Sequence, residues 1–294
     1  MHYTGTIWRP PYEAYSALVQ VTAGCTHHQC KFCTLYEDVP FKFRMSPLSE
    51  VEEDLKELSR CAPNAKRVFF TGANPFVLSF DRLKTLAELV KQYFPKSESM
   101  GCFARITDLT PKTTQQLREL RNLGYNGITI GAEAGDDTAL SFMRKGFGTK
   151  EIMEECRRLD QVGMEYNFFY LAGIYGSGRG EIGARNTARV FNQVHPQIIV
   201  SSMLTIYPAS DLYQEIQAGR WTEETEIEKL IELRTLIQHL DIPTYFATMG
   251  ASNCIHVEGR LPEDKTEMVR WLDEVINEAD ERELRKYREN LRHL

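Results

Sequence analysis

Six βα units in succession, an α/β fold, are what this 294-residue chain predicts. Three observations carry that expectation. Short β-branched and aromatic runs alternate with longer amphipathic stretches, the pattern of parallel strands wrapped by helices. Glycine and proline punctuate the junctions between them. A cysteine-bearing loop follows the first strand, and ligands gather at strand C-termini in both open and barrel-type parallel sheets.

The first strand is expected over 16–22. A helix follows over 47–60, with Ser49 near its start and acids in its first turn. The second strand, 66–71, runs into Gly72-Ala73-Asn74-Pro75, and its helix covers 81–93. The third strand is 98–105. Thr110-Pro111 opens the next helix with proline at the first helical position, and Gly124 closes it. The fourth strand is 127–132, and the helical region 136–162 behind it breaks at 146–148. The fifth strand, 165–174, is an almost unbroken apolar and aromatic run. A glycine-rich turn at 176–180 leads into a helix over 181–195. The sixth strand is 197–206, and a helix over 222–240 follows the Pro208 loop. The domain boundary is expected at 240. Beyond it, 241–294 form an extension: loop and short strand at 245–257, then a charged helix over 262–294. Six units fit either a doubly wound open sheet or a partial (β/α) barrel.

Composition narrows the function classes. Hydrophobic residues make up 42% and charged residues 26%, ordinary values for a globular chain. The net charge of −6 argues against a general nucleic-acid binder, which needs a basic face. The basic run 282–294 alternates with acids, as a solvated helix does. No apolar run approaches the roughly 20 residues of a membrane span. Residues 1–12 carry no signal-peptide core, so a cytoplasmic location is expected. Seven cysteines are an odd number, and three of them crowd into one loop. In a reducing compartment that crowding points to a metal site rather than a disulfide framework.

That loop reads Gly24-Cys25-Thr26-His27-His28-Gln29-Cys30-Lys31-Phe32-Cys33, a C-x4-C-x2-C spacing. Three thiolates can hold three irons of a [4Fe–4S] cluster and leave the fourth open. An open position is what a catalytic metal centre keeps. A zinc site built from the three cysteines with His27 or His28 is the alternative the loop itself allows.

The loop resembles the radical S-adenosylmethionine (radical SAM) signature, whose usual form is C-x3-C-x2-C with an aromatic residue before the last cysteine. Phe32 stands at that place, and one extra residue separates the first two cysteines. The resemblance spans roughly residues 15–240 and is similar to the methylthiotransferase-like and coproporphyrinogen-oxidase-like branch. It implies a partial (β/α)6 TIM-like barrel with a C-terminal helical extension. It also implies that Cys25, Cys30 and Cys33 bind a [4Fe–4S] cluster, that SAM chelates the open iron, and that Phe32 packs near the adenine. Gly72-Ala73-Asn74-Pro75 matches the family's Gly-Gly-Glu-Pro-like turn, with Asn74 where Glu is common. Ile130-Gly131-Ala132-Glu133-Ala134-Gly135 matches its Gly-x-Glu-Ser-Gly segment, which implies a SAM-side role for Glu133; the plainer reading is an acid at a helix N-terminus. Arg105 or Arg144 would pair with the SAM carboxylate, since guanidinium binds carboxylates in bidentate fashion. Residues 171–176 and Tyr207-Pro208 resemble adenine-side segments.

The implied activity is reductive cleavage of SAM to methionine and a 5′-deoxyadenosyl radical that takes hydrogen from a substrate. A reductant such as flavodoxin or ferredoxin would be the partner. The substrate, a small molecule or a modified macromolecule, is not specified by any motif. Cys61 and Cys156 read as packing residues; Cys102 and Cys254 are candidate hydrogen-atom donors. Ser252, Asn253 and His256 are candidate substrate contacts. The competing class is a regulatory, non-catalytic zinc or iron–sulfur protein.

Overall fold

The computed structural model describes residues 1–291, and the chain divides into two compact units. The last three residues of the expected C-terminal helix lie outside the described residues.

Unit 1 comprises Met1–His28, Leu35–Gly131 and Arg157–Tyr166. Its elements run β1 (Ala17–Gln20), β2 (Thr22–Gly24), β3 (Phe43–Met45), α1 (Leu48–Cys61), β4 (Arg67–Thr71), α2 (Phe80–Tyr93), β5 (Ser99–Ala104), α3 (Ile106–Leu109), α4 (Thr114–Leu123) and β6 (Ile128–Glu133). Strands β1, β4, β5 and β6 pair in that order and in parallel, with Val19 opposite Phe70, Phe69 opposite Gly101 and Ala104 opposite Ile130. Both faces are covered, so the strands read as apolar runs. Val19, Phe69, Phe70, Leu83, Leu86, Leu120 and Tyr125 are fully buried; Phe70 packs near Tyr125 on one face and Phe69 against Phe103 on the other.

Three expectations change here. The first strand is two pieces, because after Gln20 the chain leaves the main sheet and Thr22–Gly24 pairs antiparallel with Phe43–Met45. The helix expected from Thr110-Pro111 also begins later. A separate turn of helix occupies Ile106–Leu109, and α4 starts after Thr113, whose hydroxyl accepts the Gln116 N–H while the Gln116 side chain accepts the Thr113 N–H. That reciprocal cap satisfies two donors at once and outcompetes proline as the start signal. Gly124 closes α4 in the left-handed region, φ 114°, as expected. Cys61 ends α1 exposed, so it is not a packing residue.

Unit 2 comprises Gln29–Thr34, Ala132–Cys156 and the chain from Asn167 onward. Its elements are α5 (Asp137–Phe142), α6 (Thr149–Val162, whose last turns belong to unit 1), β7 (Tyr166–Ala172), α7 (Gly180–Phe191), β8 (Ile198–Met203), α8 (Asp211–Gln217), α9 (Glu226–His239), β9 (Thr244–Thr248), β10 (Glu258–Leu261), α10 (Lys265–Glu278) and α11 (Glu281–Glu289). Strands β7, β8 and β9 are parallel; β10 returns antiparallel to β9. The sixth strand stops at Met203, so Tyr207-Pro208 lies in the loop beyond it rather than at its end. The extra helix α8 follows that loop, capped by Ser210, whose hydroxyl accepts the Tyr213 N–H. The expected C-terminal helix is two helices, split at Ala279-Asp280.

Helix α9 is unusual. Its buried face carries Glu226, Lys229, Glu232 and Thr235, all without solvent exposure. Buried charges persist only when paired or hydrogen-bonded. Lys229 meets Glu223 at 2.8 Å and Glu226 at 3.2 Å. Glu281 of α11 accepts the N–H groups of Glu226 and Ile227, and so caps α9 from a distant part of the chain.

Candidate active site

The thiol loop leaves β2 at Gly24, whose φ of 74° and contact with the Lys42 carbonyl leave no room for a side chain. The Cys25 N–H donates to the same Lys42 carbonyl at 2.8 Å, which ties the start of the loop to the β2–β3 ribbon. Further along, the Cys33 N–H donates to Cys30 O, closing a turn around Phe32. The Lys31 N–H donates to Met143 O, and Lys31 O accepts the Leu212 N–H at 2.7 Å. The Lys31 ammonium pairs with Glu215 at 2.9 Å and sits over the Phe142 ring. The Lys31 and Arg220 bonds hold the Glu215 carboxyl down to about 2.

Cys25 and Cys30 are half-buried and Cys33 is exposed; none of the seven cysteines is in a disulfide. A single metal ion needs its ligands to converge on one point, whereas a [4Fe–4S] cluster spreads its thiolates over separate irons. Among the described residues, no three His, Cys, Asp or Glu side chains converge as a single-ion site requires. Three adjacent thiols on one loop are the donor set a cluster with one open iron takes.

In unit 1 the other predicted residues gather beside the start of this loop. Gly72 follows β4 with φ 132°, and a side chain there would overlap Thr22. Asn74 is fully buried. Its amide nitrogen donates to Thr26 Oγ1 at 2.7 Å and to both Asp108 oxygens at 3.1 Å, and its oxygen accepts the Thr26 N–H at 3.4 Å. Asp108 accepts the Arg105 N–H at 2.8 Å. Burial pushes the Asp108 carboxyl up to about 6 and the Lys112 ammonium down to about 8. Lys112 donates to the Phe76 and Asp108 carbonyls. Arg105 is half-buried, with Nη1 on Thr107 at 3.0 Å. Asp108 and Lys112, four apart around a helix turn, were not among the predicted residues; the Asp-x-x-x-Lys spacing was the available signal.

In unit 2, Lys145 joins two predicted residues. Its ammonium pairs with Glu133 at 3.2 Å and lies 5.7 Å from the Phe32 ring centre and 5.4 Å from that of Phe147. Glu133 is not a helix N-cap: Asp136 is, and Glu133 ends its strand in the left-handed region at φ 65°. A non-glycine residue held there stores strain, a feature that clusters at functional sites. Arg144, also left-handed at φ 56°, pairs with Asp211 at 3.1 Å on the surface. Tyr207 is half-buried, and its carbonyl accepts from Ser210. Cys102 is enclosed in β5, its thiol pushed well up by burial. Cys254 is half-buried, 3.5 Å from Met203 Sδ, its thiol pushed up to about 11. Ser252 and Asn253 are buried, and the Asn253 amide nitrogen donates to Ser201 O and Met249 O, bracing the loop. His256 is exposed near Glu258.

Parallel βα units with a three-thiol loop after the first strand define an α/β metalloenzyme. The Radical SAM superfamily matches residues 19–183, more than half of the chain, and the chain belongs to that superfamily. The cofactors of that superfamily are a [4Fe–4S] cluster and SAM. The fold is the α/β fold of solved members. The radical SAM methyltransferase TsrM from Kitasatospora setae, solved with cobalamin and a [4Fe–4S] cluster, superposes with a TM-score of 0.57 at 16% identity over 69% of this chain and 39% of that one. Methylornithine synthase (PylB) gives 0.55 at 15% identity over 92% and 85%. In sequence, the chain is 21% identical over 201 residues to the heme chaperone HemW of Bacillus subtilis (strain 168), covering 66% of this chain. The chain spans about half the length of that curated relative, 52%. Among the described residues no helix is long and apolar enough to cross a membrane.

Proposed function

We propose that Cys25, Cys30 and Cys33 carry the cluster and that the enzyme cleaves SAM reductively to take a hydrogen atom from its substrate. The single observation that carries this reading is the C-x4-C-x2-C loop, with the Phe32 ring beneath the Lys145 ammonium that pairs with Glu133. When bound, the cluster supplies an electron to the SAM sulfonium, giving methionine and a 5′-deoxyadenosyl radical. The chain's own residues orient and shield. Lys145 pairs with the Glu133 carboxylate and fixes it for a hydroxyl or ammonium donor. Phe32 offers a ring face beside it. Arg105, half-buried after β5, is the guanidinium we assign to the SAM carboxylate, while Arg144 lies on the surface with Asp211. The resemblance also implies SAM-side roles for Gly72 and, separately, for Tyr207. Cys254 is the hydrogen-atom donor candidate we retain, since Cys102 is enclosed. Residues 1–240 form the catalytic core in this reading, and 241–294 complete the substrate side. A flavodoxin- or ferredoxin-type reductant supplies the electron.

The test is anaerobic reconstitution of the full chain, then incubation with SAM and dithionite and assay for 5′-deoxyadenosine. Production of 5′-deoxyadenosine is expected; none from a fully loaded cluster, with cell extract as substrate source, sinks the proposal. Cys30→Ala should lose the cluster, and full iron in that variant shows the ligands are wrong. The match to a heme chaperone favours one narrower reading, that the chain binds heme. Titration with hemin should then give a saturable Soret shift; a chain that leaves the band unmoved removes that reading.

A further inference from the structure

Asn74 does not face open space as a ligand contact would. It is fully buried, and its amide bridges two parts of unit 1. On one side is Thr26, which directly follows Cys25. On the other is Asp108, itself 2% exposed and anchored by the Arg105 N–H. The polarity of the bridge is fixed by its partners. Two carboxylate oxygens and a threonine oxygen surround the amide nitrogen, and the Thr26 N–H points at the amide oxygen. A charge-assisted bond from an amide to a buried carboxylate is stronger than a neutral one. Outer-shell bonds of this kind orient metal ligands.

We propose that Asn74 and Asp108 form a brace that fixes the Cys25 end of the cluster loop, so that the cluster's environment is set from the α3 turn after β5. Both are positioning residues, acting through Thr26. The inference rests on Cys25 being a cluster ligand. Asn74 therefore serves the loop rather than SAM directly, and Asp108 supplies the negative charge that holds it.

The test uses the full chain, reconstituted without oxygen. Iron affinity and the electron paramagnetic resonance spectrum of the reduced cluster are read with and without SAM, beside the thermal melt of the cluster-free protein. Asn74→Asp sets two buried carboxylates against each other, and iron affinity should fall about 10–100-fold, with shifted g-values. The exchange Asn74→Asp with Asp108→Asn restores one charge and one amide. The carboxylate at position 74 then accepts from Thr26 and from the amide at 108, whose oxygen accepts the Arg105 N–H. Affinity and spectrum should return to wild type. A wild-type spectrum and iron affinity in Asn74→Asp alone overturn the brace. So does an exchange variant that melts normally but keeps the defect of the single variant. If Asn74→Asp does not fold, the exchange variant decides by the same criterion. Cys25→Ala separates the two readings. Full iron in that variant means the ligand assignment has failed, whereas its loss beside unaffected brace variants means that only the brace has failed.

Discussion

Each unit buries acidic groups, and the two solve the problem differently. In unit 1, Asp108 is enclosed but saturated: the Asn74 amide reaches both its oxygens and the Arg105 N–H reaches one. In unit 2, Glu224 is enclosed and neither of its oxygens finds a hydrogen-bond donor. It faces Glu232, which accepts from the Tyr170 hydroxyl at 2.5 Å and from the Gly173 N–H at 2.9 Å. Burial pushes the Glu224 carboxyl up to about 7 and that of Glu232 further up, the neighbouring acid adding to it. Two carboxyl groups pressed together are best served by sharing one proton. The lesson is that donors offset part of the cost of burying Asp108, whereas Glu224, which lacks them, is best served by a proton.

Substitutions should expose that difference. Asp108→Ala leaves the Asn74 amide and the Arg105 N–H without their acceptor and removes the negative charge beside buried Lys112. Denaturant unfolding should show a loss of about 3–4 kcal/mol. A loss below about 1 kcal/mol would mean the saturated network contributes nothing. Lys145→Met comes next. It strips the counter-ion from Glu133, whose side chain is only 16% exposed, and should cost about 2–3 kcal/mol. An unchanged unfolding midpoint would show that Glu133 is solvated rather than paired.

Glu224→Gln should act in the opposite sense. The groups facing Glu224 are Glu232, Glu228, Lys229 and Arg179. A carboxyl whose folded pKa lies above its unfolded value binds a proton more tightly in the folded state. Its contribution is complete below about 4.5 and is lost as pH rises through about 7. Wild-type stability should therefore decline across that window. Glu224→Gln should flatten the decline and leave the protein about 2 kcal/mol more stable at pH 8. The same decline in wild type and variant would assign it to another group.

The strands and the thiol loop were legible because their signals are local. An apolar run reads as a parallel strand buried on both faces, and C-x4-C-x2-C needs no partner elsewhere. What escaped was non-local or short. The three-residue strand Phe43–Met45 has no period to read, yet it frames Cys25 through the Lys42 carbonyl. Asp108 was missed because its role depends on Asn74, 34 residues away. Lys145 was missed because the Glu133 and Phe32 that give it meaning lie on other segments. Glu224 and Glu232 carry no local signal of burial; the packing of α7 against α9 encloses them.

Arg144 provides the smallest effect and the sharpest control. It was a candidate for the SAM carboxylate on sequence resemblance, and its left-handed backbone marks a constrained position. Its guanidinium, however, is on the surface with Asp211, the two side chains 55% and 63% exposed. Solvent screens such a pair, and exposed pairs of this kind contribute about 0–1 kcal/mol. Arg144→Ala should therefore shift stability by no more than that, with Kd for SAM unchanged when read from the cluster's spectrum. Arg105→Ala, read the same way, should weaken SAM binding about tenfold or more, since a charge-assisted bidentate contact is worth over 1.4 kcal/mol. A tenfold loss in Arg144→Ala with none in Arg105→Ala would reverse the assignment. It would also place the carboxylate-binding cation among the residues of unit 2 rather than beside Asp108.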